Sequence, residues 1–161
     1  MIEVFPNLFI GDQNDEMALT SRDSWFVIHA CKEPYHRQAL GYSGRAASKD
    51  HPEYLMAKRD GCLILNLVDV PDPKYISLEI MAEAVATIHE QIGSKRVLVH
   101  CNQGMSRSPS IAFLYLVKHT DIFSGKSLDE ALSAFQAMYS LYSPAAGVAS
   151  FIRQHWHVFS S

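Results

Sequence analysis

No apolar run in this chain comes near the roughly 18 residues that a membrane-crossing helix needs. The longest, around Leu63–Val68 and Ile111–Val117, are far shorter. The opening residues Met1-Ile2-Glu3-Val4-Phe5-Pro6 lack the basic region and long apolar stretch of a secretory signal. Cysteine is scarce: Cys31, Cys62 and Cys101 are odd in number and follow no pairing pattern. That suits free thiols in a reducing compartment better than a disulfide framework. A cytoplasmic protein without a membrane partner is therefore expected. Positive charge is not in excess either. With 14 Lys and Arg against 17 Asp and Glu the net charge is −3, so no basic field argues for a nucleic-acid partner. The eight histidines show no ligand spacing, and neither a metal nor another cofactor is expected; His155-Trp156-His157 reads as surface and packing. Repeats, low-complexity tracts and linkers are also missing. At 161 residues and 48% apolar composition, the chain can fill one substantial core but not two. Residues 1–161 are expected to form a single domain, and nothing in them demands more than a monomer.

What is present reads as alternating strands and helices. Leu8-Phe9-Ile10-Gly11 is a short strand, after which Asp12 is placed to cap a helix around Glu16–Leu19. Trp25–Ile28 is a second strand, and Cys62–Val68 is nearly all apolar, as a strand buried on both faces would be. Residues 30–60 have mixed charge and no period. Met81, Val85, Ile88 and Ile92 form a helical stripe over Ser77–Ile92, with Gly93 at the C-cap. Arg96–Val99 is the next strand and Ile111–His119 the next helix. Ser127-Leu128-Asp129-Glu130 is a capping box opening a helix with Leu128, Leu132, Phe135, Met138 and Tyr142, stopped by Pro144. The order implies an α/β fold: a central, mostly parallel sheet flanked by helices. Ligands bind such sheets beyond the C-terminal strand ends, where both Asp69 and Cys101 fall.

Val97-Leu98-Val99-His100-Cys101-Asn102-Gln103-Gly104-Met105-Ser106-Arg107-Ser108 passes from a buried strand through a short loop into a helix. Such a loop can curl its backbone N–H groups inward as a nest for a tetrahedral oxyanion, and the helix N-terminus adds its positive end. Asn102, Gln103, Gly104, Met105, Ser106 and Arg107 are the candidate phosphate-binding residues. Gly104 supplies the torsional freedom of the curl, and Pro109 is tolerated in a first helical turn. Cys101 at the base would feel the N–H dipoles, the helix end and Arg107, all of which favour thiolate over thiol. A thiolate can attack phosphorus. Arg107 can hold two phosphate oxygens in its planar fork, which a lysine cannot. The spacing Cys-x5-Arg alone is weak: Cys31-Lys32-Glu33-Pro34-Tyr35-His36-Arg37 shares it. That copy has Pro34 without an N–H, the repelling Glu33, no glycine and no clear helix after it, so Cys31 is read as structural.

His100-Cys101-x-x-Gly104-x-Ser106-Arg107-Ser108 resembles the signature of the dual-specificity branch of the protein tyrosine phosphatase superfamily. Pro6–Gly11 is similar to that family's opening segment, Ser127–Leu132 to its late helix, and Pro144-Ala145-Ala146-Gly147 to the Pro-x-x-Gly that follows. The resemblance implies two-step hydrolysis without a metal. Cys101 attacks phosphorus, an aspartic acid protonates the leaving oxygen, and water cleaves the cysteinyl-phosphate. Ser108 would help the thiolate leave, Ser106 would stabilise the loop or the thiolate, and His100 would orient the loop from behind. The paired arginines often found before Pro144 are absent from Phe135–Tyr142, which argues against a basic side pocket there. Asn102, Gln103 and Met105 are uncharged, which disfavours phosphoinositides.

A general acid belongs on a loop over the pocket. Leu67-Val68-Asp69-Val70-Pro71-Asp72-Pro73 offers two, Asp69 directly after the strand and Asp72 held between prolines. Asp69 better matches the family's acid position. The implied substrate is a phosphorylated protein or peptide, through phosphotyrosine and also phosphoserine or phosphothreonine. The alternatives are a nucleotide, RNA 5′-phosphate or lipid phosphatase, or a phosphate-binding module without turnover. The cations Lys32, Arg37, Arg45, Lys49, Lys58 and Arg59 are interspersed with acids and read first as a solvated loop, second as a rim attracting phosphorylated protein.

Overall fold

Strands β1 (Ile2–Phe5), β2 (Leu8–Gly11), β3 (Trp25–His29), β4 (Met56–Arg59), β5 (Cys62–Leu65) and β6 (Arg96–His100) make one sheet, ordered β1-β2-β6-β3-β5-β4. These come from a computed structural model that describes residues 1–161. The pairs β2–β6, β6–β3 and β3–β5 are parallel, while β1 and β4 close the two edges antiparallel. The sheet is thus mixed with a parallel centre. Every residue of β3 is buried, and all of β6 except Arg96, because helices cover both faces of such central strands. In this α/β arrangement the helices are α1 (Gln13–Met17), α2 (Arg37–Leu40), α3 (Leu78–Gln91), α4 (Arg107–His119), α5 (Leu128–Met138) and α6 (Ala146–Phe159). None is long and apolar enough to cross a membrane.

Several boundaries differ from those expected, each for a local reason. Asp12 caps a helix that starts at once, at Gln13 rather than near Glu16. Its carboxylate accepts from Asp15 N–H at 2.9 Å, and Asp15 accepts from Asp12 N–H at 2.9 Å. Strand β5 ends at Leu65, short of Val68. The Leu67 carbonyl leaves the ladder to accept from Lys32 N–H at 2.9 Å and from Arg107 Nη1 at 3.1 Å. Helix α4 begins at Arg107, a turn before Ile111. Helix α5 stops at Met138, so Tyr142 lies beyond it. Tyr139 turns out of the helix and its hydroxyl donates to the Gly104 carbonyl at 2.7 Å. Gly93 follows α3 without the left-handed backbone of a glycine cap.

Helix α6 was not anticipated, although Val148, Phe151, Ile152 and Phe159 form its buried stripe. Within it His157 is exposed, and the half-buried Trp156 stacks on Phe113 with ring centroids 6.1 Å apart. Phe113 of α4 also meets Phe123 and Phe135 at 5.5 and 5.3 Å. Such aromatic contacts contribute about 0.5–1.5 kcal/mol each beyond burial. They fix α4 rigidly, and with it the loop that precedes it. The parallel strands place the residues after β2, β3, β5 and β6 along one edge of the sheet, where the candidate residues gather.

Candidate active site

The segment between β6 and α4 wraps around the Cys101 sulfur. Cys101 is 2% exposed, and its Sγ accepts from Gly104 N–H at 3.3 Å and lies 3.2 Å from Ser108 Oγ. The Ser108 hydroxyl is also 3.3 Å from the Gly11 carbonyl, which it can reach as donor. Gly104 has φ +71°, a left-handed backbone that favours glycine, and a Cβ there would stand 3.1 Å from the Gly11 carbonyl oxygen. The N–H groups of Asn102, Gln103, Met105, Ser106 and Arg107 donate to no backbone carbonyl. They belong to the turn entering α4, where backbone donors have no intrahelical partner. Free backbone donors are what an anion nest requires.

Arg107 is held from two sides. Its Nη1 donates to the Leu67 carbonyl at 3.1 Å and its Nη2 to Asn102 Oδ1 at 2.7 Å. Its Nε is the one buried side-chain nitrogen or oxygen in the chain with no hydrogen-bond partner. A buried, unpaired donor costs on the order of 1–3 kcal/mol, and more on a charged group. Arg107 also lines the cavity that Cys101 lines. Asn102 itself is fixed by donating to Gln13 Oε1 at 3.1 Å and to the Glu33 carbonyl at 3.0 Å. Its side chain therefore orients Arg107 and ties the loop to two other segments.

The two candidate acids part company. Asp69 lines the same cavity as Cys101, Gln103 and Arg107, a space of about 560 Å³. Ser106 Oγ donates to Asp69 Oδ1 at 2.9 Å and accepts from Ala145 N–H at 2.9 Å. Ser106 thus braces the loop that carries Asp69 and makes no hydrogen bond to the sulfur. Asp72 stands outside that cavity. It caps a short helical turn by accepting from Lys74 N–H at 3.0 Å, and it pairs with Lys74 Nζ at 3.3 Å. The Lys74 N–H, above all, holds its carboxyl below the usual range.

Gly147 explains the Pro-x-x-Gly segment. Its N–H donates to the Val70 carbonyl at 3.1 Å, and an added Cβ would stand only 2.0 Å from that carbonyl oxygen and 3.0 Å from the Pro71 carbonyl carbon. Both obstacles are backbone atoms of the loop that carries Asp69. Gly147→Ala is expected to destabilise the protein by about 1–3 kcal/mol. On the reading proposed below, in which Asp69 is the general acid, displacing it by about an ångström should also lower kcat up to roughly 100-fold. Thermal unfolding and kcat on an alkyl phosphate check both effects.

Behind the loop lies a buried polar network. His100 Nδ1 is 3.2 Å from the Cys101 carbonyl and its Nε2 is 2.6 Å from His29 Nδ1. A carbonyl only accepts, so His100 carries its proton on Nδ1 and His29 Nδ1 donates to the bare Nε2. Burial keeps both rings neutral, pushing His29 down to about 3 and His100 downward as well. His29 stacks on Tyr35 at 4.3 Å, and Tyr35 donates to Glu16 at 2.9 Å, which also takes Arg22 at 2.7 Å. Burial would raise the Glu16 carboxyl, but the hydrogen bonds from Arg22 and Tyr35 prevail and lower it. His29, Tyr35 and Glu16 were not among the expected site residues; their partners lie too far along the chain for spacing to reveal them.

The second Cys-x5-Arg segment builds no cradle. Cys31 is wholly buried, with its thiol pushed up to about 12 by burial. Arg37 is committed to Glu33 at 2.8 Å and to the carbonyls of Tyr42 and Gly44. No three His, Cys, Asp or Glu side chains converge in a metal-binding arrangement.

No family model matches the chain. Among solved structures it is similar to human tyrosine phosphatase-like serine/threonine/tyrosine-interacting protein, with TM-score 0.64 and 18% identity over 99% of this chain and 97% of that one. Human DUSP28 gives TM-score 0.63 and 18% identity over 99% and 94%. DUSP15 gives 0.62 and 19% over 96% and 86%. The structural neighbours include dual-specificity phosphatases, and the fold is theirs.

Proposed function

We propose that the chain is a cysteine-dependent phosphatase of phosphorylated proteins, acting on phosphotyrosine and also on phosphoserine or phosphothreonine. One observation carries the reading: Arg107 Nε, buried and without a partner, lies on the residue that shares a cavity with Cys101 and Asp69. A phosphoryl group seated on the N–H nest satisfies that donor and meets the sulfur from above. The fold of the dual-specificity phosphatases supports the same conclusion.

In the first step the Cys101 thiolate forms a bond to phosphorus as the bond to the leaving oxygen breaks. Asp69, protonated, gives its proton to that oxygen. The nest and Arg107 hold the three equatorial oxygens, stabilising charge where it is spread in the transition state. In the second step water attacks phosphorus and loses its proton to the Asp69 carboxylate, while the phosphorus–sulfur bond breaks. Ser108, 3.2 Å from the sulfur, and Gly104 N–H then stabilise the returning thiolate. His100, braced by His29, holds the Cys101 carbonyl and so the pitch of the loop.

The acid assignment is tested with Asp69→Asn and Asp72→Asn on aryl and alkyl phosphates. Asp69→Asn should lose roughly 100-fold or more on the alkyl phosphate and little on a nitrophenyl phosphate, whose leaving group needs no proton. Asp72→Asn should track the parent on both. Equal losses in the two variants would refute the assignment.

A further inference from the structure

Beside the catalytic cavity lies a second one of about 620 Å³, within the range of small-molecule and side-chain binding sites. The two share a wall. Along Asn66–Val70, Asn66, Val68 and Val70 line the second cavity while Asp69 lines the first. The opposite wall comes from residues 32–55 and carries Lys32, Arg45 and Tyr54.

The cations of that segment sort themselves by partner. Arg37 pairs with Glu33, Lys58 with Glu83 and Arg59 with Glu53, at 2.8, 2.6 and 2.5 Å. Lys32 and Arg45 pair with no carboxylate, yet both face the same cavity, and no Asp or Glu lines it. Lys32 Nζ donates to the Arg45 carbonyl, which places its charge beside Arg45 and leaves further N–H groups for a ligand. The Asn66 side chain is anchored by donating to the Tyr54 carbonyl at 2.9 Å. Lys32 N–H and Arg107 Nη1 meet on the same Leu67 carbonyl, so the positive wall is one peptide removed from the phosphate clamp.

The geometry points to a second anionic subsite, resting on the catalytic reading above: Lys32 and Arg45 receive an acidic residue of the substrate peptide, close in sequence to the phosphorylated one. That residue is an Asp, a Glu or a second phosphorylated side chain. Val68, Val70 and Tyr75 supply apolar surface for its stem and neighbours. No Lys or Arg stands in Phe135–Tyr142, before Pro144. The subsite gives a role to Lys32 and Arg45, which no carboxylate consumes.

The test compares matched phosphotyrosine peptides with acidic, neutral or basic flanking residues, and an aryl phosphate too small to reach the subsite. The parent should prefer the acidic peptide about tenfold through KM, with kcat shared. Arg45→Glu should reverse that preference and leave aryl phosphate turnover within twofold. Its side chain makes no hydrogen bond, so the fold is not at risk. Lys32→Met should remove the preference. A parent that turns over aryl phosphate but ranks the peptides equally would overturn the subsite, as would a preference that survives Arg45→Glu. Faster turnover of nucleoside monophosphates than of any peptide would also overturn it. Should no substrate be turned over, the catalytic reading fails. Calorimetric binding of the same peptides then decides the subsite, with the acidic peptide tighter if it exists and all equal if it does not.

Discussion

Cys101→Ser is expected to lower turnover of aryl phosphates and phosphopeptides by roughly 10⁴-fold or more, as loss of a sole nucleophile does. A serine hydroxyl stays protonated where a thiol ionises, and no general base stands beside residue 101 to help it. The neighbours of Sγ are Gly104 N–H at 3.3 Å, a donor, and Ser108 Oγ at 3.2 Å, whose one hydroxyl proton can go to the sulfur or to the Gly11 carbonyl; neither is a base. The substitution is small, buried and leaves the N–H nest and Arg107 in place. Peptide binding by calorimetry and the thermal unfolding midpoint should therefore stay close to the parent's. A variant that kept a tenth of the parent activity would remove Cys101 from the reaction.

Arg107→Lys is expected to cost roughly 10³-fold in kcat, about 4 kcal/mol of transition-state stabilisation. Charge is conserved, so the loss reports geometry. The guanidinium is fixed by the Leu67 carbonyl at 3.1 Å and by Asn102 at 2.7 Å, and keeps Nε for the ligand. An ammonium can occupy one of these positions but cannot span them with the bidentate fork. Asn102→Ala, by contrast, leaves the guanidinium whole and only loosens it. Steady-state kinetics on an aryl phosphate separate the two variants: a lysine as active as arginine would show that charge alone suffices.

What was legible in the sequence was what local chemistry dictates. The loop from His100 to Ser108 carries its strand, glycine and helix start within a dozen or so residues, and Asp69 follows a strand that is apolar throughout. The centre of the sheet was legible because β3 and β6 are buried on both faces. Residues 30–60 were not, since few apolar side chains order them. Long-range polar contacts do so instead: His36 bonds the Glu53 carbonyl at 2.9 Å and Tyr42 at 3.0 Å, and Asn66 reaches Tyr54. The parts played by Asn102 and His29 depend on the same kind of contact. Helix α6 escaped notice for another reason. Pro144 reads equally as the stop of one helix and the approach to the next, and the stripe from Val148 onward appears only with the second reading. Gly147 was visible as part of a pattern, but its reason, the Val70 carbonyl pressed against its Cα, is a tertiary contact.

The most direct test of the account is to catch phosphorus on sulfur. The protein is mixed with a phosphotyrosine peptide labelled on its phosphate, quenched within one turnover, digested, and the label mapped. The account predicts label on the peptide bearing Cys101 and none in Cys101→Ser. Label on Ser106, Ser108 or a histidine, or turnover with no labelled protein at any time, would contradict it.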